Sequence, residues 1–359
     1  MQSSQVLRTL ELEGAPQERG RRHGQTLGGE IRQLRRALLA YLARLSLYAG
    51  ALPLFGGLLL LARSFLPQTP PRLQQEMAAL AAGAQVSPGS VLLINVLDDL
   101  ANNSPRCSAL AVGEGHTRDG GYLMGRNLDY PLFVDLLAQL QILFLLAPDE
   151  DQALASLAWP GYVGVCTGIN KAGVALAQLS APSRDRSLRG MPAAMRFRLA
   201  LERGASAAAA ADQVLRLPGT IGNNLMLCDP GEALVLELSA RRGARRQPRQ
   251  GLITASNHYQ SPAMQAVKGR FPPRIPYSPL APHYFTEAYS QARDRRLQEL
   301  AVGRRLAPHD LEKILADEAV ANAGTVGCVV FAPGQRTIWV ARGDRPPVNR
   351  GPFIAKTLW

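Results

Sequence analysis

The hydrophobic rhythm of this chain changes at Cys107, and that change constrains the fold more than any other feature. Before it, Ile31, Leu34, Leu38, Tyr41, Leu42 and Leu45 recur at the spacing of one helix face. Pro70-Pro71 opens another helix through Met77, Leu80 and Ala81, and Ser87-Pro88 gives the cap and first turn of one through Val91, Ile94 and Leu97. After it, short apolar runs alternate with turn residues. Residues 110–112, 122–124, 141–146, 163–167 and 174–179 read as strands, with Asp119-Gly120-Gly121 turning between the first two. Residues 191–211 read as a helix. Residues 225–227 and 233–238 form a hairpin around Asp229-Pro230-Gly231, and residues 290–302 and 308–318 read as helices. Residues 326–331 and 337–341 make a last hairpin around Pro333-Gly334. Strands, helices and strands again predict an α+β layered fold.

The segment 48–66 interrupts this order. It is apolar but broken by Pro53 and by Gly56-Gly57, and its charge-free stretch is near the lower limit for a membrane span. It fits a buried helical hairpin or a segment lying on a bilayer better than a straight span, so 48–66 is a candidate for peripheral membrane contact.

Charge excludes less than it suggests. The net charge is +12, almost all of it from arginine, since lysine occurs only at 171, 268, 313 and 356. The excess is spread along the chain, with one dense run at Arg241, Arg242, Arg245, Arg246 and Arg249. Such runs are usually solvated, and no nucleic-acid motif accompanies this one, so no nucleic-acid partner is expected. Residues 1–14 show no apolar stretch behind a basic start, which predicts no signal peptide and a cytoplasmic protein, possible membrane contact aside.

The chemistry-bearing residues are few. The five histidines and four cysteines have no metal-ligand spacing, and neither a Gly-x-Ser-x-Gly elbow nor a phosphate-binding loop is present. No metal or cofactor is expected. Cys107 is the exception, in the stretch Cys107-Ser108-Ala109-Leu110 with Arg126-Asn127-Leu128-Asp129 following. A lone cysteine is most often a small core residue. If the Arg106–Cys107 bond were cut, however, the new α-amine, with a pKa of roughly 7.7–8.0, would sit beside the thiol. One residue would then hold both nucleophile and base.

The motifs in order resemble those of the N-terminal nucleophile hydrolases of the choloylglycine hydrolase, acid ceramidase and isopenicillin N acyltransferase group, the last branch most closely. The matching pieces run from 14 to 20 with His23-Gly24, through Cys107-Ser108, residues 125–130, Trp159-Pro160-Gly161 and residues 168–173. They continue through Asn223-Asn224, residues 228–231, residues 254–258 and residues 290–293. The resemblance implies a four-layer αββα fold, with residues 1–106 a helical pro-segment and 107–359 the catalytic domain. Self-cleavage between Arg106 and Cys107 would leave these as an α/β heterodimer.

The resemblance also implies roles. Cys107 is the nucleophile and its freed amine the base, which Asp129 orients. Arg126 favours the thiolate, Asn257 donates its amide to the oxyanion, and Arg293 completes the positive surroundings. Ser180, Asn223 and Asn224 are candidates for substrate or oxyanion contact. Arg126 and Asp129 share a strand face only if a bend intervenes. Each residue also fits a plainer role: Arg126 with Asp129 as a surface ion pair, Asn257 as a turn former, Arg293 as a solvated helix charge. The implied function is hydrolysis of a linear amide of a small, apolar N-acyl substrate. The alternatives are acyl transfer to an amine, or a non-catalytic membrane-surface binding protein on the same fold.

Overall fold

The structure is a computed structural model that describes residues 6–49, 54–101, 106–118, 120–343 and 345–359. The chain opens with β1 (Thr9–Gly14), α1 (Pro16–Ala49), α2 (Leu54–Arg63), α3 (Pro71–Ala84) and α4 (Pro88–Ala101). Then follow β2 (Arg106–Val112), β3 (Leu123–Asp129), α5 (Val134–Leu140), β4 (Ile142–Pro148), β5 (Leu154–Ala158), β6 (Thr167–Asn170) and β7 (Ala175–Ser180). Two helices, α6 (Ala193–Arg203) and α7 (Ala207–Arg216), precede β8 (Asn223–Cys228), β9 (Ala233–Leu238), β10 (Gly243–Arg246) and β11 (Leu252–Ala255). The chain closes with α8 (Pro262–Gln265), α9 (Glu287–Ala301), α10 (Pro308–Leu315), β12 (Thr325–Ala332), β13 (Thr337–Ala341) and β14 (Phe353–Thr357).

The strands form two sheets, an eight-stranded one ordered β1-β4-β5-β6-β7-β8-β9-β10 and a six-stranded one ordered β11-β2-β3-β12-β13-β14. Their inner faces meet in one apolar core that includes Ala109, Met124, Leu128, Ala177, Leu179, Met226 and Val329. A second core joins the outer face of the eight-stranded sheet to α1, α3, α4, α6 and α7, and a third joins the six-stranded sheet to α9 and α10. The result is four layers in the order αββα, which is why β2, β3, β7, β8 and β12 are buried along their whole length.

The residues before Cys107 are not helix alone. β1 pairs in parallel with β4, Leu10 opposite Phe144, so this segment supplies the edge of the large sheet. A short, mixed run such as Thr-Leu-Glu-Leu-Glu carries little signal on its own. α1 then packs on α3 at backbone distance. A Cβ on Gly20 would lie 2.2 Å from the Glu76 carbonyl oxygen, and one on Gly24 2.2 Å from that of Leu80. The glycines of the opening motif therefore permit a helix contact that no side chain fits.

A buried ion network fastens the same segment down. Arg19 and Arg198 both bind Glu76, at 3.0 and 2.8 Å. Arg198 also holds Glu202 at 2.8 Å, which Arg72 reaches at 2.6 Å.

Other expectations need correction. Residues 191–211 form two helices, because α6 ends at Gly204 and Ser206 caps α7 by accepting the Ala209 N–H at 3.1 Å. Residues 163–166 are not strand, and the sheet uses β5 and β6 instead. The arginine run lies on and beside the edge strand β10, where Arg241 meets Asp185, Arg245 meets Asp212 and Arg246 meets Glu237. Three of the five arginines are thus paired, as suits charge on an exposed edge. Within 48–66, residues 50–53 lie outside the described residues, as does Asp119 of the predicted turn. Among the described residues, no helix is long and apolar enough to cross a membrane.

Candidate active site

β2 and β3 pair without a register shift, Cys107 opposite Leu128 and Ala109 opposite Arg126. Cross-strand alternation therefore turns Cys107 and Arg126 to the same, inter-sheet side. The Arg126 Nη2 lies 3.0 Å from the Cys107 Sγ and donates to the Gln178 carbonyl at 3.0 Å. Its Nη1 donates to the Cys166 carbonyl at 3.2 Å and to the Thr167 hydroxyl. With these partners the guanidinium has one orientation, aimed at the sulfur. Burial pushes the Cys107 thiol up, and Arg126 offsets only part of that rise, so in the intact chain the thiol is held protonated.

Asp129 takes the opposite face. No bend brings it beside Arg126, and the irregularity of β3 lies on its other edge, between Thr325 and Gly327 of β12. Its carboxylate accepts from Arg293 Nη1 at 2.6 Å, Asn322 Nδ2 at 2.9 Å and Thr325 Oγ1 at 2.7 Å. Arg293 passes the contact on, its Nη2 donating to Asn257 Oδ1 at 2.7 Å. The same oxygen accepts the Cys107 backbone N–H at 2.9 Å. Asp129 thus reaches the Cys107 nitrogen through Arg293 and Asn257 rather than directly, because strand alternation points it away and three donors occupy it. A surface ion pair between Arg126 and Asp129 is excluded, since both side chains are buried on different faces.

Asn257 differs from expectation in the same way. Two donors converge on its Oδ1, while its Nδ2 donates to the Ser180 carbonyl at 2.7 Å. That network sets the amide orientation, and in the intact chain the side chain serves the Cys107 nitrogen. Asn224 lies under it, donating to the Ser256 and His258 carbonyls at 2.8 and 2.9 Å, so it positions the turn. Asn223 accepts from Gln178 Nε2 at 2.9 Å, behind the cavity wall. Ser180 lines the cavity. Arg106 is buried on the outer face with its guanidinium 5.4 Å from the ring centres of Phe271 and Phe285.

Several residues of the site carried no sequence signal. Asn322 and Thr325 meet Asp129 only because β12 pairs with β3. Ser290 lies in a stretch that the sequence did single out, 290–293, though not as a site residue; one turn before Arg293 on α9, it accepts the Asn257 backbone N–H at 2.7 Å.

A cavity of about 100 Å³ opens in front of the thiol. Its walls are mostly apolar and aromatic, with Asp98, Arg126, Gln178 and Ser180 the polar exceptions. Leu38 comes from α1 and Leu97 from α4, and Tyr130, Phe133, Trp159 and Tyr162 complete the ring. The turn that carries Trp159 is pinned from the N-terminal segment. Gly161, at φ +88°, donates its N–H to His23 Nε2 at 2.9 Å, and its carbonyl accepts from Asn95 Nδ2 at 2.8 Å. The segment before Cys107 therefore builds the cavity as well as covering it. Among the described residues, no group of three or more His, Cys, Asp or Glu could hold a metal ion.

Over residues 116–345 the sequence matches the acyl-coenzyme A:6-aminopenicillanic acid acyl-transferase family. That stretch starts after Cys107 and takes in Arg126, Asp129, Asn257 and Arg293. An uncharacterized protein of Archaeoglobus fulgidus is 25% identical over 202 residues, 49% of this chain and 33% of that protein, so the match spans about a third of the relative's length. Among solved structures, a Caenorhabditis elegans ortholog of N-acylethanolamine-hydrolyzing acid amidase superposes with a TM-score of 0.47 at 19% identity, over 64% of this chain and 93% of that one. A conjugated bile acid hydrolase of Clostridium perfringens gives 0.45 at 14%, over 70% and 92%. A penicillin V acylase of Agrobacterium tumefaciens gives 0.40 at 13%, over 66% and 82%. At these scores the likeness is loose, and the fold is read from the sheet order above.

Proposed function

The chain belongs to the acyl-coenzyme A:6-aminopenicillanic acid acyl-transferase family, a family of enzymes, and on that premise we propose that it cleaves itself before Cys107 and then breaks small N-acyl amides through an acyl-enzyme on that residue. The observation that carries this reading is the placement of Cys107. Its sulfur faces an apolar cavity with a guanidinium 3.0 Å away, and its nitrogen is held at 2.9 Å by a side chain on another strand end.

In the first step the Cys107 sulfur attacks the Arg106 carbonyl carbon. The carbon–nitrogen bond breaks, the nitrogen leaves as an amine with the thiol proton, and a thioester forms. Water then hydrolyses the thioester to the Arg106 carboxylate and the free thiol. Residues 1–106 and 107–359 would stay together through β1 and the Glu76 network. The freed amine would remain against Asn257 Oδ1, where the Arg293 guanidinium disfavours its protonation and so improves it as a base near neutral pH.

In turnover the amine takes the thiol proton, the thiolate attacks the amide carbonyl, and the leaving amine takes the proton back. Arg126 favours the thiolate formed. Water resolves the acyl-enzyme in a hydrolase, and an amine resolves it in a transferase. The family match favours keeping transfer as the second reading. A binding role without catalysis is supported only by the exposure of Leu47, Leu60 and Leu61 on α1 and α2, which suits contact with an apolar surface.

The test is turnover of N-acyl aryl amides of graded chain length, with and without added amine. Release of the aryl amine by wild type and none by Cys107→Ala is expected. Equal, background release by both would reject the proposal.

A further inference from the structure

We propose that the cavity in front of Cys107 recognises an organic ammonium group, with Asp98 as its counter-charge. This rests on the reading of that cavity as the substrate site and adds the substrate's charge to it. Asp98 stands on α4, among apolar neighbours, and lines the same cavity as Cys107 and Arg126. One carboxylate oxygen accepts from the Tyr130 hydroxyl at 2.9 Å. No arginine, lysine or histidine forms an ion pair with Asp98 among the described residues.

The contrast with neighbouring charges is informative. Asp99, next in sequence, accepts the Ala193 N–H at 3.0 Å and the Thr220 hydroxyl, tying α4 to the start of α6. Its role is structural. Arg126, the cation of the cavity, already faces the thiol, two carbonyls and a hydroxyl. It has little left for a substrate carboxylate. Asp98, by contrast, accepts one hydrogen bond, so among the described residues it is the charged group of the cavity with capacity left for a substrate.

A carboxylate in an apolar site is costly unless a cation meets it. Burial raises the Asp98 carboxyl to about 6, so it is still mostly ionised at neutral pH. Around it stand Tyr130, Trp159 and Tyr162, whose ring faces attract cations. A carboxylate with an aromatic wall suits an ammonium on a small apolar body. It repels a fatty carboxylate and gives no advantage to a neutral chain. The same chemistry serves a charged group on the amide, or an acceptor that binds as its ammonium and gives a proton to the Asp98 carboxylate before the neutral amine attacks.

The experiment is calorimetric titration of the purified full chain with benzylammonium, benzyl alcohol and benzoate. The ammonium should bind about tenfold tighter than the alcohol, the scale of a desolvated cation–π and charge contact, and benzoate should be weakest. In Asp98→Asn, which keeps an acceptor for Tyr130, the preference should collapse, while Tyr130→Phe should retain most of it. Equal binding of ammonium and alcohol, or a preference unchanged by Asp98→Asn, would overturn the proposal. Binding needs no turnover, so an inactive but ammonium-selective chain would sink the enzymatic reading and leave this one standing. With an aryl amide as donor, an N-acyl benzylamine product marks the acceptor role, and competitive inhibition without it marks a group on the amide.

Discussion

The side-chain oxygen of Asn257 accepts the backbone N–H of Cys107 at 2.9 Å, across 150 residues of sequence. The nitrogen so held is the one that the proposed cleavage would free. Asn257→Ala leaves that buried N–H and the Arg293 guanidinium without their acceptor, a loss of about 1–3 kcal/mol. Cleavage should slow by about ten- to a hundredfold, followed as loss of the intact chain on denaturing gels. Asn257→Asp, which keeps an acceptor, should cleave faster than Asn257→Ala; the reverse order would contradict the role.

Arg126 should set the reactivity of the thiol. Wild-type Cys107 should alkylate faster than Cys166, which burial holds at about 11, and faster than Cys328, which burial also raises. Arg126→Gln removes the guanidinium 3.0 Å from the sulfur, and the Cys107 rate should fall by about tenfold, one unit of thiol pKa. Peptide mapping after timed iodoacetamide treatment reads all of these sites at once. An unchanged Cys107 rate would remove Arg126 from the mechanism.

Much of this site was legible before the structure, and the limits were physical. The resemblance put Arg126 beside Cys107, and in the structure the two share a face because they are evenly spaced along two paired strands. Asp129 misled, since three residues along a strand reverse the face, and the structure accepts that reversal instead of bending. Its partners Asn322 and Thr325 lie near the other end of the chain and meet it only through sheet order. The resemblance placed Asn257 near Cys107, as the structure does, but which end of its amide faces Cys107 depends on Arg293 and Ser180 together. β1 was lost for a similar reason, because its parallel partner β4 is remote in sequence and its own pattern is short.

Glu76 should decide whether the two pieces of the proposed cleavage stay together. It neutralises two buried guanidiniums, Arg19 and Arg198. Glu76→Gln should cost about 3–5 kcal/mol, the penalty for breaking a buried pair. Urea unfolding measures the loss, and size-exclusion chromatography of cleaved protein should show the pieces separating at lower denaturant than in wild type. A shift of the midpoint equivalent to less than about 1 kcal/mol would reduce this network to ordinary surface pairing.

His23 should give the fold a pH-dependent weakness. Burial lowers its pKa from 6.5 to about 4, and its Nε2 accepts the Gly161 N–H, which requires the neutral ring. The unfolded chain binds this proton first, so stability from His23 is complete above pH 6.5 and is lost as pH falls toward 4. Between pH 8 and 4.5 wild type should lose about 2–3 kcal/mol more than His23→Gln. Asp98 and Asp99, raised to about 6 and 7, have the opposite sign but are common to both proteins and cancel in the comparison. Parallel pH profiles for the two would place the weakness elsewhere.

The central claim is that Cys107 becomes an N-terminus, and end-group sequencing tests it most directly. Purified wild type should separate on a denaturing gel into two pieces, the larger beginning Cys-Ser-Ala-Leu, while Cys107→Ala stays whole. A wild-type chain that remains uncut, indistinguishable from Cys107→Ala, would contradict the account.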